Sequence, residues 1–189
     1  MKQLAHAGTS NTETTSDIRF TTLDRWTFVL MQIFEGKSFL DLAEKTHIVH
    51  TQSSLDEVLT QQALFRAFLL AYGKCFSKSG QGRSSLDASK VFKDEPRSLF
   101  VHERVMELRH KFAAHNDISG LDRSVIRVEE LEDEFQIIQS YAVANPLHEY
   151  DNYREALKIV ESYVLAQTGK TIAHLEKKLH KRIRVRGAA

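Results

Sequence analysis

The chain has 189 residues, of which 42% are hydrophobic and 27% charged. That is the balance of a folded domain of ordinary size, one that buries roughly 70% of its unfolded surface, and not of a disordered chain. One cysteine excludes an internal disulfide framework and any multi-thiolate metal site, and only two prolines and eight glycines favour long helices over a turn-rich β sandwich. No apolar run reaches the roughly 18 residues of a membrane span. The opening stretch, Met1 to Asp17, has no apolar signal core, so the expectation is a cytoplasmic protein.

The net charge of +1 hides an asymmetry. Lys177, Lys178, Lys181, Arg182, Arg184 and Arg186 put six basic side chains within ten positions, with no acid after Glu176. Setting those six aside leaves 20 of the 26 basic residues against 25 acidic ones, a body at −5. A basic end on an acidic body suits an anionic partner such as RNA. It equally suits a solvated helix end, where cations face the negative pole of the helix dipole.

In chain order, residues 1–20 are Thr/Ser-rich and aperiodic, and read as a flexible leader. A first helix is expected from Thr22 or Leu23, with Thr22 as its cap. Trp26, Val29, Ile33, Gly36, Leu40 and Ala43 make its apolar stripe, in which Gly36 either weakens the helix or admits a close neighbour. A second helix is expected from Ser53 to Phe76, capped by Ser53 or Ser54 with Asp56 and Glu57 in its first turn. Residues 63–72 are apolar nearly all round, so this helix is buried on several sides; Arg66 within it either snorkels outward or pairs with an acid.

Residues 77–95 read as a long polar loop whose Gly80 and Gly82 do not complete a dinucleotide fingerprint. A third helix opens at Pro96, with Val101, Val105, Leu108 and Phe112 as its stripe and His115 on the next step. Ser124–Glu129 and Glu134–Ala142 alternate as two strands about an acidic turn, although residues 129–139 also suit a helix. The last helix runs from Glu149 to Leu179, about 45 Å, long enough to overhang a small bundle unless it bends or meets a partner. The fold class expected is therefore all-α: an up-and-down four-helix bundle over residues 21–180, with a small β-hairpin between the third and last long helices, and a basic tail at 181–189.

Most chemical motifs fail. Thr168-Gly-Lys-Thr171 lacks the earlier glycine of a phosphate-binding loop and falls mid-helix. His47 and His50 have no carboxylate fixed beside them by spacing, so no metal site is assigned. Cys75, in an apolar helix, reads as a structural thiol. The segment Glu107-Leu-Arg109-His110-Lys111-Phe-Ala-Ala-His115-Asn116-Asp117 clusters ionisable groups at a helix end where a loop begins. Three Arg–His spacings of this kind occur, Arg97 to His102, Arg104 to His110 and Arg109 to His115; only the third sits in that context. From the residues alone, His115 also suits a core or capping role, and Arg109 an ion pair with Glu103, Glu107 or another acid.

Arg109-His110-Lys-Phe-Ala-Ala-His115, with five residues between the Arg and the second His, resembles the signature of the HEPN domains, small helical bacterial domains. In them an Arg is usually followed by Asn, Asp or His, and four to six residues separate the Arg from a following His. Leu108-Arg-His-Lys-Phe-Ala-Ala-His-Asn-Asp117 is similar to a subset reading Leu-Arg-Asn-Lys-x-x-Ala-His, and Ala71-Tyr-Gly-Lys-Cys-Phe-Ser77 also resembles that subset. His110 departs from the commoner Asn. The order of elements is similar across roughly residues 20–180.

The resemblance implies a metal-independent endoribonuclease of toxin–antitoxin or phage-defence type, needing no cofactor and working as a homodimer. Arg109 and His115 would be catalytic, with His110 and Asn116 supporting. Lys111, Lys177, Lys178, Lys181 and Arg182 would hold RNA, and an antitoxin or defence protein is a further expected partner. The alternative it leaves is a catalytically silent helical module that binds nucleotides, RNA or a protein. The chemistry suits the residues: His titrates near working pH and can exchange protons with the 2′-hydroxyl and the leaving oxygen, while Arg stays charged against the phosphate. On an ideal helix Arg109 and His115 point about 120° apart, so they converge only if the helix end is distorted or a second chain contributes.

Overall fold

The computed structural model describes residues 17–46, 54–77, 85–114, 122–143 and 146–185. They form α1 (Thr21–Lys45), α2 (Leu55–Phe76), the short α3 (Ala88–Val91), α4 (Pro96–Leu108), a hairpin of β1 (Asp122–Glu130) and β2 (Phe135–Val143), and α5 (Tyr150–Leu179). The fold is thus mainly helical with one small antiparallel hairpin. No helix is long and apolar enough to cross a membrane among the described residues.

The apolar stripes of the long helices become the core. Val29, Ile33, Leu40 and Ala43 of α1 meet Phe65, Phe68, Leu69 and Tyr72 of α2, and Tyr153, Leu157, Val160 and Val164 of α5. Phe65 stacks on Tyr150 at 5.6 Å and Phe68 on Tyr153 at 5.6 Å, so α2 and α5 lock through rings rather than aliphatic contacts alone. Gly36 lies at this three-helix junction, but a Cβ there would sit 3.7 Å from Leu157 and 3.8 Å from Phe68, ordinary contact distances. The position therefore needs no glycine for space.

Local chemistry sets the boundaries, in places differently from the sequence reading. Thr22 does not cap α1. Asp17 accepts the Arg19 backbone N–H to start a 3-10 turn over Ile18–Phe20, which runs directly into α1 at Thr21. Ser54 caps α2 in a reciprocal capping box with Glu57; Ser53 lies outside the described residues. At the far end of α1, the Gln61 amide donates to the carbonyls of Ala43 (3.0 Å) and Thr46 (2.8 Å), satisfying groups that a helix end leaves unpaired.

Residues 77–95 are not one loop. Leu86, Val91 and Phe92 are buried, and Asp87 caps the single turn α3, so the second half packs as core. Hydrophobic spacing gives no sign of a turn this short, because one turn has no period to show. β1 extends beyond its expected strand at both ends and β2 is shifted by one residue, starting at Phe135 and ending at Val143; the helical alternative for residues 129–139 is excluded by pairs such as Glu129–Gln136 and Ile126–Gln139. The overhang expected of α5 is largely covered within the chain. Trp26 of α1 donates its indole N–H to Thr171 at 3.1 Å, and Leu175 is buried. Thr168 and Thr171 bond back to carbonyls four residues earlier, as in an ordinary helix.

Candidate functional site

The regular α-helix of α4 stops at Leu108. From Arg109 to Ala114 the backbone adopts π-helical turns. Such bulges recur at functional sites because the extra residue per turn re-aims the side chains around it. His115 and Asn116 lie outside the described residues.

Arg109 is half-buried, and its stem lies along α2. A Cβ on Gly73 would come within 3.0 Å of the Arg109 Cγ, 3.2 Å of its Nε and 3.3 Å of its Cδ. Only the bare backbone of a glycine gives the side chain this bed without adjustment. The Nε of Arg109 is buried there without a hydrogen-bond partner among the described residues. Glu107, one of its expected partners, instead pairs with Arg104 at 3.3 Å and Lys111 at 2.8 Å, and those cations hold its carboxyl below the usual range. Lys111 is thus exposed but already engaged in a helical ion pair; His110 is exposed.

The other two Arg–His spacings are occupied structurally. His102 is buried between Phe76 at 4.3 Å and Phe92 at 5.4 Å, and its Nδ1 shares a 3.0 Å hydrogen bond with the Tyr72 hydroxyl. Burial lowers its pKa from 6.5 to about 4, so it is a neutral core histidine at working pH. Arg97 donates to Asn152 at 3.2 Å. Arg104 lies between Glu107 and Glu149, and Glu149 also accepts the Tyr153 hydroxyl at 2.6 Å. Of the three arginines, only Arg109 makes no hydrogen bond or ion pair within the described residues.

Lys177, Lys178, Lys181, Arg182 and Arg184 are all exposed. His180, at a left-handed φ of 51°, ends α5, and the Ile183 N–H donates to Glu176 at 2.8 Å, folding the tail back on the last turn. This end of α5 lies beyond the Trp26–Thr171 contact with the start of α1, whereas Arg109 lies near the end of α2. Cys75 is buried, and desolvation pushes its thiol up to about 12, as a structural thiol requires. His47, His50 and Arg186 lie outside the described residues.

Sequence reasoning missed Gly73 as the bed of Arg109, although a glycine inside the apolar run of a helix is a signal of close approach. It also missed the Tyr72–His102 bond, whose partners are 30 positions apart with no spacing rule to join them. Comparison with family models, with curated proteins and with solved structures finds no match to this chain.

Proposed function

We propose that the chain is a HEPN-like, metal-independent endoribonuclease, possessing an up-and-down helical bundle and acting as a homodimer in the cytoplasm. Arg109 grips the scissile phosphate. His115 exchanges the proton of the 2′-hydroxyl attack or of the leaving oxygen, and His110 and Asn116 orient it. The observation that carries this reading is the buried Nε of Arg109, unpartnered among the described residues, at a π-distorted helix end. A structural arginine is normally matched to a carboxylate or carbonyl, because an orphaned buried donor costs about 1–3 kcal/mol. With no carboxylate neutralising it among the described residues, the guanidinium keeps a free positive charge, which suits a phosphate.

The test is cleavage of mixed cellular RNA in EDTA by wild type, Arg109→Ala and His115→Ala, with helical content checked by circular dichroism. Each variant is expected to lose at least about 100-fold in rate. An inactive wild type, or variants that cleave as well as wild type, would overturn the assignment.

A further inference from the structure

The two strands of the hairpin present different outer edges. β1 carries Asp122, Arg123, Arg127, Glu129 and Glu130, whereas β2, Phe135 to Val143, has no charged residue, no proline and no glycine. Charges are the usual means of keeping an edge strand from pairing with another chain. β1 has that protection and β2 lacks it. The sheet has two strands, so among the described residues the outer edge of β2 leaves alternate N–H and C=O groups unpaired over about 30 Å. Ile126, Val128, Phe135 and Ile137 share one face of the ribbon and are 57–65% exposed, so the helical core does not cover it. An isolated two-stranded ribbon is at best marginally stable in water, and further strands or a covering helix are what stabilise one.

We propose that β2 pairs antiparallel with β2 of a second copy of this chain across a two-fold axis, giving a four-stranded sheet in the order β1-β2-β2-β1. The unmet groups are backbone groups, so the occupant is an extended strand. A second β2 matches in length and puts no like charges opposite one another. The charges of the turn select the direction. Glu129, Glu130, Glu132, Asp133 and Glu134 cluster at one end of the hairpin. Parallel pairing would set two such clusters side by side; antiparallel pairing places them at opposite ends, about 30 Å apart and beyond a Debye length of roughly 8 Å. Phe135 and Ile137 then gain cross-strand neighbours on their open side. The inference does not depend on the ribonuclease reading.

A nine-residue edge buries roughly half the 800 Å² per partner of a standard interface, so the dimer should be concentration-dependent. Sedimentation of the full chain is expected to shift from one chain towards two between about 1 and 100 μM. Full overlap of the two strands puts Gln139 opposite its own copy. Gln139→Lys and Gln139→Glu should each remain monomeric with unchanged helical circular dichroism, and an equal mixture of the two should recover the dimer. Gln139→Cys should give a disulfide-linked dimer on oxidation, since the native thiol, Cys75, is buried. A wild type that stays monomeric throughout, or single-charge variants that dimerise as well as wild type, would overturn the proposal. Cleavage retained by a monomeric Gln139→Lys chain would overturn the dimeric active site and leave the edge pairing intact.

Discussion

Two polar side chains reach from the α4 segment onto neighbouring residues of α2, and the fold treats them oppositely. His102 meets Tyr72: it is enclosed by rings, hydrogen-bonded and held neutral. Arg109, two turns further along, meets Gly73, with its Nε buried and no acceptor supplied among the described residues. The first arrangement completes itself within the chain and so contributes to stability. The second leaves that nitrogen without an acceptor among the described residues. Burial alone does not distinguish the two positions; what differs is whether each polar group finds a partner among the described residues.

Truncation should break this comparison most visibly. His102→Ala removes a ring packed on Phe76 and Phe92 and orphans the Tyr72 hydroxyl, and should cost about 3 kcal/mol in urea unfolding. Arg109→Ala should change stability by less than about 1 kcal/mol, because lost packing of the stem is offset by relief of an unpaired donor. Equal losses at the two positions would place Arg109 with the structural residues.

How much of this was legible in the sequence depends on the range of each interaction. The stripe of α1 and the first half of that of α5 follow from a 3.6-residue period and became core, whereas Ile172 and Leu179 at the far end of α5 are only half-buried and, in α2, Ala63 and Leu70 of the apolar run are exposed. The hairpin followed from alternation. The start of α1 and the turn α3 did not, because Asp17 and Asp87 act through single hydrogen bonds that many polar residues could equally make. The Arg109–His115 segment stood out by composition at a helix end. What distinguishes Arg109 from Arg97 and Arg104 did not, since it lies in the partners each finds across the fold: Asn152, Glu149 and the bare backbone of Gly73.

The pH dependence of stability sharpens the same contrast at smaller scale. The pKa of His102 is about 4 when folded, against 6.5 as the ordinary value. The unfolded chain therefore binds the proton more readily, and stability falls as pH drops from 6.5 towards 4. On the order of 2 kcal/mol should be lost across that window, after allowance for solvent screening at a site close to the surface. His102→Gln keeps a hydrogen-bonding side chain and cannot titrate. The slope of unfolding free energy against pH should thus be shallower in that variant than in wild type; identical slopes would mean that His102 is not held neutral by the fold.

The smallest expected effect separates two glycines. Both Gly36 and Gly73 are buried inside helices, where alanine is favoured by about 1 kcal/mol. At Gly36 the added methyl meets Leu157 and Phe68 at ordinary distances, so Gly36→Ala should stabilise by about 0.5–1 kcal/mol. At Gly73 the same methyl meets the Arg109 stem at 3.0 Å, so the guanidinium must move and the propensity gain is spent on displacing it. Gly73→Ala should therefore leave thermal stability close to wild type and lower RNA cleavage, with Gly36→Ala raising stability and leaving cleavage unchanged. If Gly73→Ala proves stabilising and fully active, the bed beneath Arg109 is spare room rather than a constraint on where its charge points.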